Sequence, residues 1–128
     1  MFKKKIISLT LLLILSSCNK SKEHQDKFTY RKGSSSVELK ILNGKNYLVY
    51  NKSTRVNFEW KNIDPKMSSI YGAGIKILEL EGNNTTKTKI LVPNGYLKKD
   101  TLNIKLNFKI NGKNYKTEFN IPIIKEEN

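Results

Sequence analysis

The residues best suited to chemistry in this chain are its only cysteine, Cys18, and its only histidine, His24. General acid–base catalysis needs a group that is held in place near its working pKa, and His24 lies in a polar run that nothing positions. Asp64 and Asp100 stand beside turn residues, where aspartates usually bond to the backbone. One histidine and one cysteine cannot complete a tetrahedral metal shell. The sequence therefore predicts that the chain is not an enzyme and holds no metal or cofactor.

The segment before Cys18 has the three-part layout of a secretory signal peptide. Lysines at positions 3–5 are followed by ten mostly aliphatic residues, 6–15, and then by Ser16 and Ser17. Ten residues of helix span roughly 15 Å, which is half the hydrocarbon thickness of a bilayer. Residues 1–17 are therefore predicted to be a cleaved signal peptide rather than a membrane-spanning helix.

The four residues Leu15-Ser16-Ser17-Cys18 resemble the bacterial lipobox, in which an aliphatic residue and two small residues precede an invariant cysteine. This resemblance implies that the sulfur of Cys18 carries a diacylglyceryl group, that signal peptidase II cuts before it, and that Cys18 is the mature N-terminus. The alternatives for Cys18 are a buried structural thiol or an unmodified residue near an ordinary cleavage site. Burial is disfavoured because residues 19–27 are polar throughout. Each buried methylene contributes about 0.8 kcal/mol, so two or three acyl chains would hold the protein on the membrane.

Residues 19–27 contain no proline, glycine or hydrophobic side chain, which is typical of a solvated tether. Nine extended residues reach at most about 30 Å. Asn19 follows the cysteine, in place of the aspartate that resembles an inner-membrane retention signal in enteric bacteria. The predicted location is therefore the cell envelope, with the outer membrane favoured and the periplasmic or surface face left open.

The net charge of the chain is strongly positive. Three of the 24 basic residues and none of the 11 acidic ones lie in residues 1–17. The remaining 111 residues, enough for one domain, therefore carry 21 basic against 11 acidic residues and a net charge of +10. Only Arg31 and Arg55 are arginines, and the lysine, asparagine and isoleucine bias is also what an AT-rich genome produces. Nucleic acid is not an expected partner, because secretion separates the chain from it and no interleaved aromatics form a stacking platform.

From residue 28 onward, apolar and polar residues alternate with a period of two, as in half-buried antiparallel strands. The clearest runs are 37–41, 56–60 and 102–110. Further strands are predicted at 28–30, 47–50, 75–80, 87–92 and 115–121. No helix is predicted, and Trp60 is expected to fill the core.

Turn signals separate these runs. The pentapeptide "NGKNY" occurs at 43–47 and again at 111–115, and each Asn-Gly pair predicts a type I′ hairpin turn. Other turns are predicted at 81–84 and 93–95, and the glycines of residues 71–74 predict a bend. The fold expected for residues 28–125 is all-β, a single immunoglobulin-like antiparallel β-sandwich of seven or eight strands, with a small β-barrel as the alternative.

The outward side of the last hairpin is rich in lysine. The candidate residues for an anionic partner are Lys98, Lys99, Lys105, Lys109, Lys113 and Lys116. The anionic partners whose charge complements these lysines are lipid phosphates, anionic glycan or an acidic patch on another protein. The competing interpretation is a solvated face whose lysines discourage edge-to-edge aggregation.

Residues 45–124 resemble the sandwich domains of the periplasmic shaft protein in the gliding-motility and type IX secretion machinery of Bacteroidota. The resemblance lies in "YLVYN" at 47–51, "RVNFEW" at 55–60, "GAGIKI" at 72–77 and "FNIPI" at 119–123. The helical membrane segment and tandem domains of the shaft protein have no counterpart in this sequence. Asp100-Thr101-Leu102 is similar to the O-glycosylation signal of that phylum, with Thr101 as the acceptor. The resemblance implies a scaffolding part rather than a reaction.

Three functional hypotheses follow. The first is a lipid-anchored binding or scaffold module that is held on the membrane through Cys18 and docks on an envelope protein assembly through a sheet edge or loops. The second is an immunity or inhibitor lipoprotein that blocks a toxin. The third is an enzyme or glycan-acting factor, or a surface protein that binds glycan or lipid.

Overall fold

The computed structural model describes residues 28–81 and 84–126, and these residues form two β-sheets that pack face to face. The strands are β1 Thr29–Lys32, β2 Ser35–Ile41, β3 Leu48–Val49, β4 Thr54–Lys61, β5 Ser69–Tyr71, β6 Ile75–Glu81, β7 Thr85–Ile90, β8 Thr101–Ile110 and β9 Lys113–Ile124. A single 3-10 turn, Pro65–Met67, precedes β5 within the described ranges. Asp64 caps it, since its Oδ1 accepts a hydrogen bond from the Lys66 N–H at 2.9 Å.

The strand order is that of an immunoglobulin-like sandwich. The five-stranded sheet runs β1-β2-β4-β7-β6 and the four-stranded sheet runs β3-β9-β8-β5. Within these, β2-β4-β7-β6 matches the A-B-E-D order and β5-β8-β9 matches the C-F-G order of that fold. Every pairing is antiparallel except the short one between β3 and β9. The predicted all-β sandwich is confirmed, and the barrel alternative is wrong because the two sheets stay separate.

The core lies between the two sheets and is filled by alternate residues of the long strands. Trp60 is only 4% exposed, as predicted, and its ring meets that of Phe108 edge-on at 6.1 Å between centroids. Its indole Nε1–H donates to Thr86 Oγ1 at 3.0 Å. The Thr88 hydroxyl donates to the Val56 carbonyl at 2.7 Å. The two buried threonines of β7 thus have hydrogen-bond partners, as buried polar groups need.

The two "NGKNY" segments adopt different structures. Asn111 and Gly112 have positive φ angles of 52° and 79° and join β8 to β9 in the predicted hairpin, with Ile110 opposite Lys113. The prediction for the first copy is wrong, because β2 pairs with β1 and β4 while β3 pairs with β9 in the other sheet. Residues 43–47 therefore carry the chain across the sandwich. Identical turn residues form a hairpin only where both flanking strands share a sheet.

The bend predicted at residues 71–74 leads from β5 into β6. Gly74 has a φ of +75°, and a Cβ atom built on it would lie 2.2 Å from the Leu91 carbonyl oxygen. The Leu91 N–H donates to the Gly74 carbonyl at 3.0 Å. Gly74 is thus needed both for its left-handed backbone and for its close approach to the chain that follows β7.

We expect Gly74→Ala to lower the free energy of unfolding by at least about 3 kcal/mol, since it adds a backbone clash to left-handed strain. The matched control is Gly44→Ala. Gly44 has a similar φ of +78° but nothing within 4 Å of the added atom, so this change should cost about 1 kcal/mol. Urea denaturation of both variants measures the difference. An equal loss of unfolding free energy in the two variants would show that the close approach of Gly74 to Leu91 does not contribute to the cost.

Candidate functional site

The predicted lipid anchor lies outside the described residues. Cys18, the signal peptide at 1–17 and the tether at 19–27 all precede Phe28, where the description begins. The candidate surfaces of the described domain therefore belong to residues 28–81 and 84–126. No helix within these ranges has the length and apolar character needed to cross a membrane. The same ranges hold no cluster of three or more histidine, cysteine, aspartate or glutamate side chains that could hold a metal ion.

The structure brings three of the six candidate lysines together. Lys105 and Lys109 of β8 and Lys116 of β9 lie on the outer face of the four-stranded sheet, where the strand register places Asn107 opposite Lys116. Lys98 and Lys99 lie in the loop before β8, and Lys113 follows the hairpin turn. The ten residues of β8 span roughly 33 Å, so the six lysines are spread along its whole length.

The outer face of β8 and β9 is polar rather than uniformly basic. Glu118 lies directly opposite Lys105. The Asn103 amide donates to Asn120 Oδ1 at 2.9 Å and to Glu118 Oε2 at 3.4 Å. Tyr71 and the neighbouring polar side chains line a shallow depression of about 280 Å³ on this face. Cross-strand partners thus compensate part of the lysine charge, as is common on a solvated sheet face.

Thr101, the candidate glycosylation acceptor, is the first residue of β8 and is exposed. Its neighbours in the motif are both engaged in the fold. Leu102 is 1% exposed, and the Asp100 carboxylate accepts a hydrogen bond from Tyr50 Oη at 2.7 Å. The Asp100 carbonyl also accepts one from the Ile123 N–H at 3.0 Å. A modifying enzyme would reach the Thr101 side chain on a rigid strand end, not on a loop.

The exposed hydrophobic side chains form two groups. Among the described residues, eight large hydrophobics are more than a third exposed, and four of them lie on or beside β5 and β6. These four are Met67, Tyr71, Ile77 and Leu78. The other four lie at one end of the sandwich: Leu42 and Leu91 directly follow β2 and β7, Tyr96 is in the loop between β7 and β8, and Ile124 is the last residue of β9. Large apolar side chains that gather on a surface mark candidate contact sites.

Ile77 and Leu78 of the first group lie along what we call the β5–β6 edge, formed by residues 65–81. Met67 and Tyr71 line depressions on the outer face of β8 and β9. β5 and β6 are the last strands of their sheets on the same side of the sandwich. Between them is a groove of about 130 Å³, lined by Trp60, Ile70, Ile77 and Thr86 together with residues of the 3-10 turn. Ile77 is 52% exposed and Leu78 is 37% exposed. The strand register shifts between Ile77 and Glu79, and such a bulge turns adjacent side chains toward the edge.

Sequence reasoning missed the β5–β6 edge for two reasons. β5 has only three residues, Ser69–Tyr71, which are too few to show a period of two. In β6 the alternation changes phase, because Ile75 and Ile77 are followed by the apolar Leu78. That break in the period was a readable signal of a bulge and of an outward apolar side chain.

Comparisons with known proteins add no assignment. No family model, no curated protein and no solved structure matches the chain. The function has to be argued from the surfaces themselves.

The hydrogen bond to Asp100 raises the pKa of Tyr50 above its ordinary value of 10.0, with burial and the Asp100 charge adding to the effect. A folded-state pKa that is raised stabilises the protein below the unfolded-state pKa, and this stabilisation is lost as pH rises. We therefore expect wild type to be more stable than Tyr50→Phe near neutral pH, with the difference shrinking above pH 10.0. Denaturation of both proteins across this alkaline range measures it. A difference that is constant with pH would contradict the role of this bond.

Proposed function

We propose that the chain is a lipid-anchored envelope lipoprotein that acts as a non-catalytic binding or scaffold module and docks on an envelope protein through the β5–β6 edge. The anchor is supported by the resemblance of Leu15-Ser16-Ser17-Cys18 to the lipobox. The docking surface is supported by one observation above others, the open β6 strand with its exposed Ile77 and Leu78.

Among the four edge strands of the two sheets, β6 is the best template for a partner strand. It has seven residues, whereas β1 has four, β5 has three and β3 has two. An edge strand presents unpaired backbone donors and acceptors, and its pairing is normally discouraged by short length, by charge or by a β-bulge. β6 has a bulge between Ile77 and Glu79, but it is the longest of the four edge strands. The β1 edge ends on the exposed cations Arg31 and Lys32, which fits such protection. In the middle of β6, by contrast, the exposed residues Ile77 and Leu78 are apolar.

The mode of docking that this edge favours is strand addition. In strand addition, main-chain hydrogen bonds supply affinity and neighbouring pockets select alternate side chains. The groove between β6 and β5 lies beside the edge and is apolar where Ile70, Ile77 and Trp60 meet. A partner strand paired with β6 would place one side chain in this groove and others over Leu78. The partner is therefore expected to supply an extended segment with alternating apolar residues.

The lipid anchor is tested by metabolic labelling with an alkyne-bearing fatty acid. We expect wild type to be labelled and Cys18→Ala to lose the label completely, because only the cysteine sulfur and the new N-terminus accept acyl groups. Ser17→Ala is the matched control, since it keeps a small residue before Cys18 and should stay labelled. Unlabelled wild type, or label retained in Cys18→Ala, would refute the anchor.

The docking edge is tested by photo-crosslinking in living cells. A photoreactive amino acid at Leu78 should give one discrete adduct, whereas the same group at Lys32 on the opposite edge should give none. Adding Ile77→Lys should abolish the adduct, because an edge lysine opposes strand pairing. The free energy of unfolding should fall by only about 1 kcal/mol, because Ile77 is half-exposed although it lines the groove beside Trp60. Adducts of equal yield at both edges, or an adduct that survives Ile77→Lys, would contradict docking at β6.

A further inference from the structure

The tether enters at one particular end of the sandwich. The Phe28 carbonyl accepts a hydrogen bond from the Leu39 N–H at 2.9 Å, and Thr29 lies opposite Glu38. The chain therefore reaches β1 beside the last residues of β2. We call this the tether end. At the tether end, strands β2, β7 and β9 end and strands β4, β6 and β8 begin. The second group of exposed hydrophobic side chains also lies here.

A row of three cations crosses the five-stranded sheet at the tether end. Arg55 of β4 lies directly opposite Lys89 of β7, and Lys89 lies directly opposite Lys76 of β6. Side chains at such positions are about 5 Å apart at Cβ, and like charges placed there repel. Within the part of the chain that the structure describes, none of the three forms an ion pair. The row is therefore a concentrated positive charge that the fold itself does not neutralise.

Elsewhere on the same outer face, two of the lysines have acidic partners. Lys40 and Glu59 approach to 3.1 Å, and Lys87 and Glu79 approach to 3.4 Å. Lys87 lies two residues before Lys89 in β7 and therefore on the same face of the sheet. Among the described residues of this outer face, the row at the tether end is thus the place where three cations lie directly opposite one another without an acidic partner.

Two leucines flank the cation row on the same surface. The Leu42 N–H donates to the Arg55 carbonyl at 3.0 Å, which extends the row at its β2 side, and Leu42 is 54% exposed. Leu91 follows Lys89 by two residues, shares its face and is 44% exposed. Tyr96 and Ile124 add further exposed apolar area at this end. Cations beside exposed leucine and tyrosine are the composition of surfaces that lie in a membrane interface.

We infer that the tether end docks on the membrane, with Arg55, Lys76 and Lys89 against anionic phospholipid headgroups and Leu42 and Leu91 at the headgroup boundary. This inference rests on the proposed lipid anchor at Cys18. A tether of nine residues keeps the domain within about 30 Å of the bilayer, and Phe28, where the described chain begins, lies at the same end of the sandwich as the cation row. Among the described residues, the tether end is the end of the sandwich that combines that proximity with unpaired cations and exposed leucines.

Membrane docking at this end also fits the proposed partner surface. β6 begins at Ile75, near Lys76 of the row, and runs away from the tether end toward Glu81. A domain seated on the tether end would hold β6 upright above the bilayer. The β5–β6 edge would then face sideways, where another envelope protein can reach it.

The test uses the full, acylated protein reconstituted in vesicles of phosphatidylcholine, with or without phosphatidylglycerol. An environment-sensitive fluorophore is attached at Leu42→Cys, and a lipid-borne quencher reports its contact with the bilayer. Lys113→Cys, in the hairpin at the opposite end, is the matched label position. We expect quenching at position 42 that increases with phosphatidylglycerol and falls at high salt, and none at position 113.

Charge variants identify the residues responsible. Arg55→Gln, Lys76→Gln and Lys89→Gln combined should lower the ratio of docked to undocked protein by about fivefold per cation, or about a hundredfold in all. The control combines Lys105→Gln, Lys109→Gln and Lys116→Gln, which removes the same charge from the other sheet and should leave quenching unchanged. Equal effects of the two triple variants would overturn the cation row as the docking site.

Flotation of the vesicles separates the docking inference from the anchor on which it rests. Protein that floats with pure phosphatidylcholine is anchored whether or not its domain docks. If such protein shows no quenching at position 42 with phosphatidylglycerol present, the docking inference alone is overturned. Protein that floats with neither kind of vesicle overturns both the anchor and the docking.

Discussion

The fold depends on the burial of one face of every long strand between the two sheets. Inward residues of β4 and β8, such as Val56, Phe58, Ile104 and Leu106, have no exposed surface, and apolar area removed from water is the main favourable contribution to folding. Packing the sheets in this way buries only their inner faces. It leaves two outer faces, the open edges and the two ends of the sandwich to meet other molecules.

These remaining surfaces differ in character. The outer face of β8 and β9 is polar, and its charges are partly compensated by neighbours such as Glu118 opposite Lys105. At the β5–β6 edge and the tether end, by contrast, large aliphatic side chains stay exposed. A small domain gains nothing for its own stability from exposed leucine and isoleucine, so their concentration at two sites is most simply explained by contacts. In this account, one site meets a protein strand and the other meets the bilayer.

Much of the fold could be predicted from the sequence, because alternation and turn chemistry are local. The long runs at 37–41, 56–60 and 102–110 correspond to β2, β4 and β8, and the second Asn-Gly pair forms its hairpin. The first Asn-Gly pair does not, because the choice of sheet for β3 depends on pairing with β9, which lies far along the chain. The six predicted lysines do not form one cluster, because they are divided between the loop before β8, β8 itself and β9. The row of Arg55, Lys76 and Lys89 was invisible in the sequence, since three separate strands contribute to it.

The most direct test of the central claim is hydrogen–deuterium exchange of the acylated protein, purified in mild detergent, alone and with its crosslinked partner. Strand addition makes new main-chain hydrogen bonds, and protected amides exchange more slowly. The account predicts slower exchange across β6 in the complex and unchanged exchange across β1. Equal exchange of β6 in both samples would contradict docking at the β5–β6 edge.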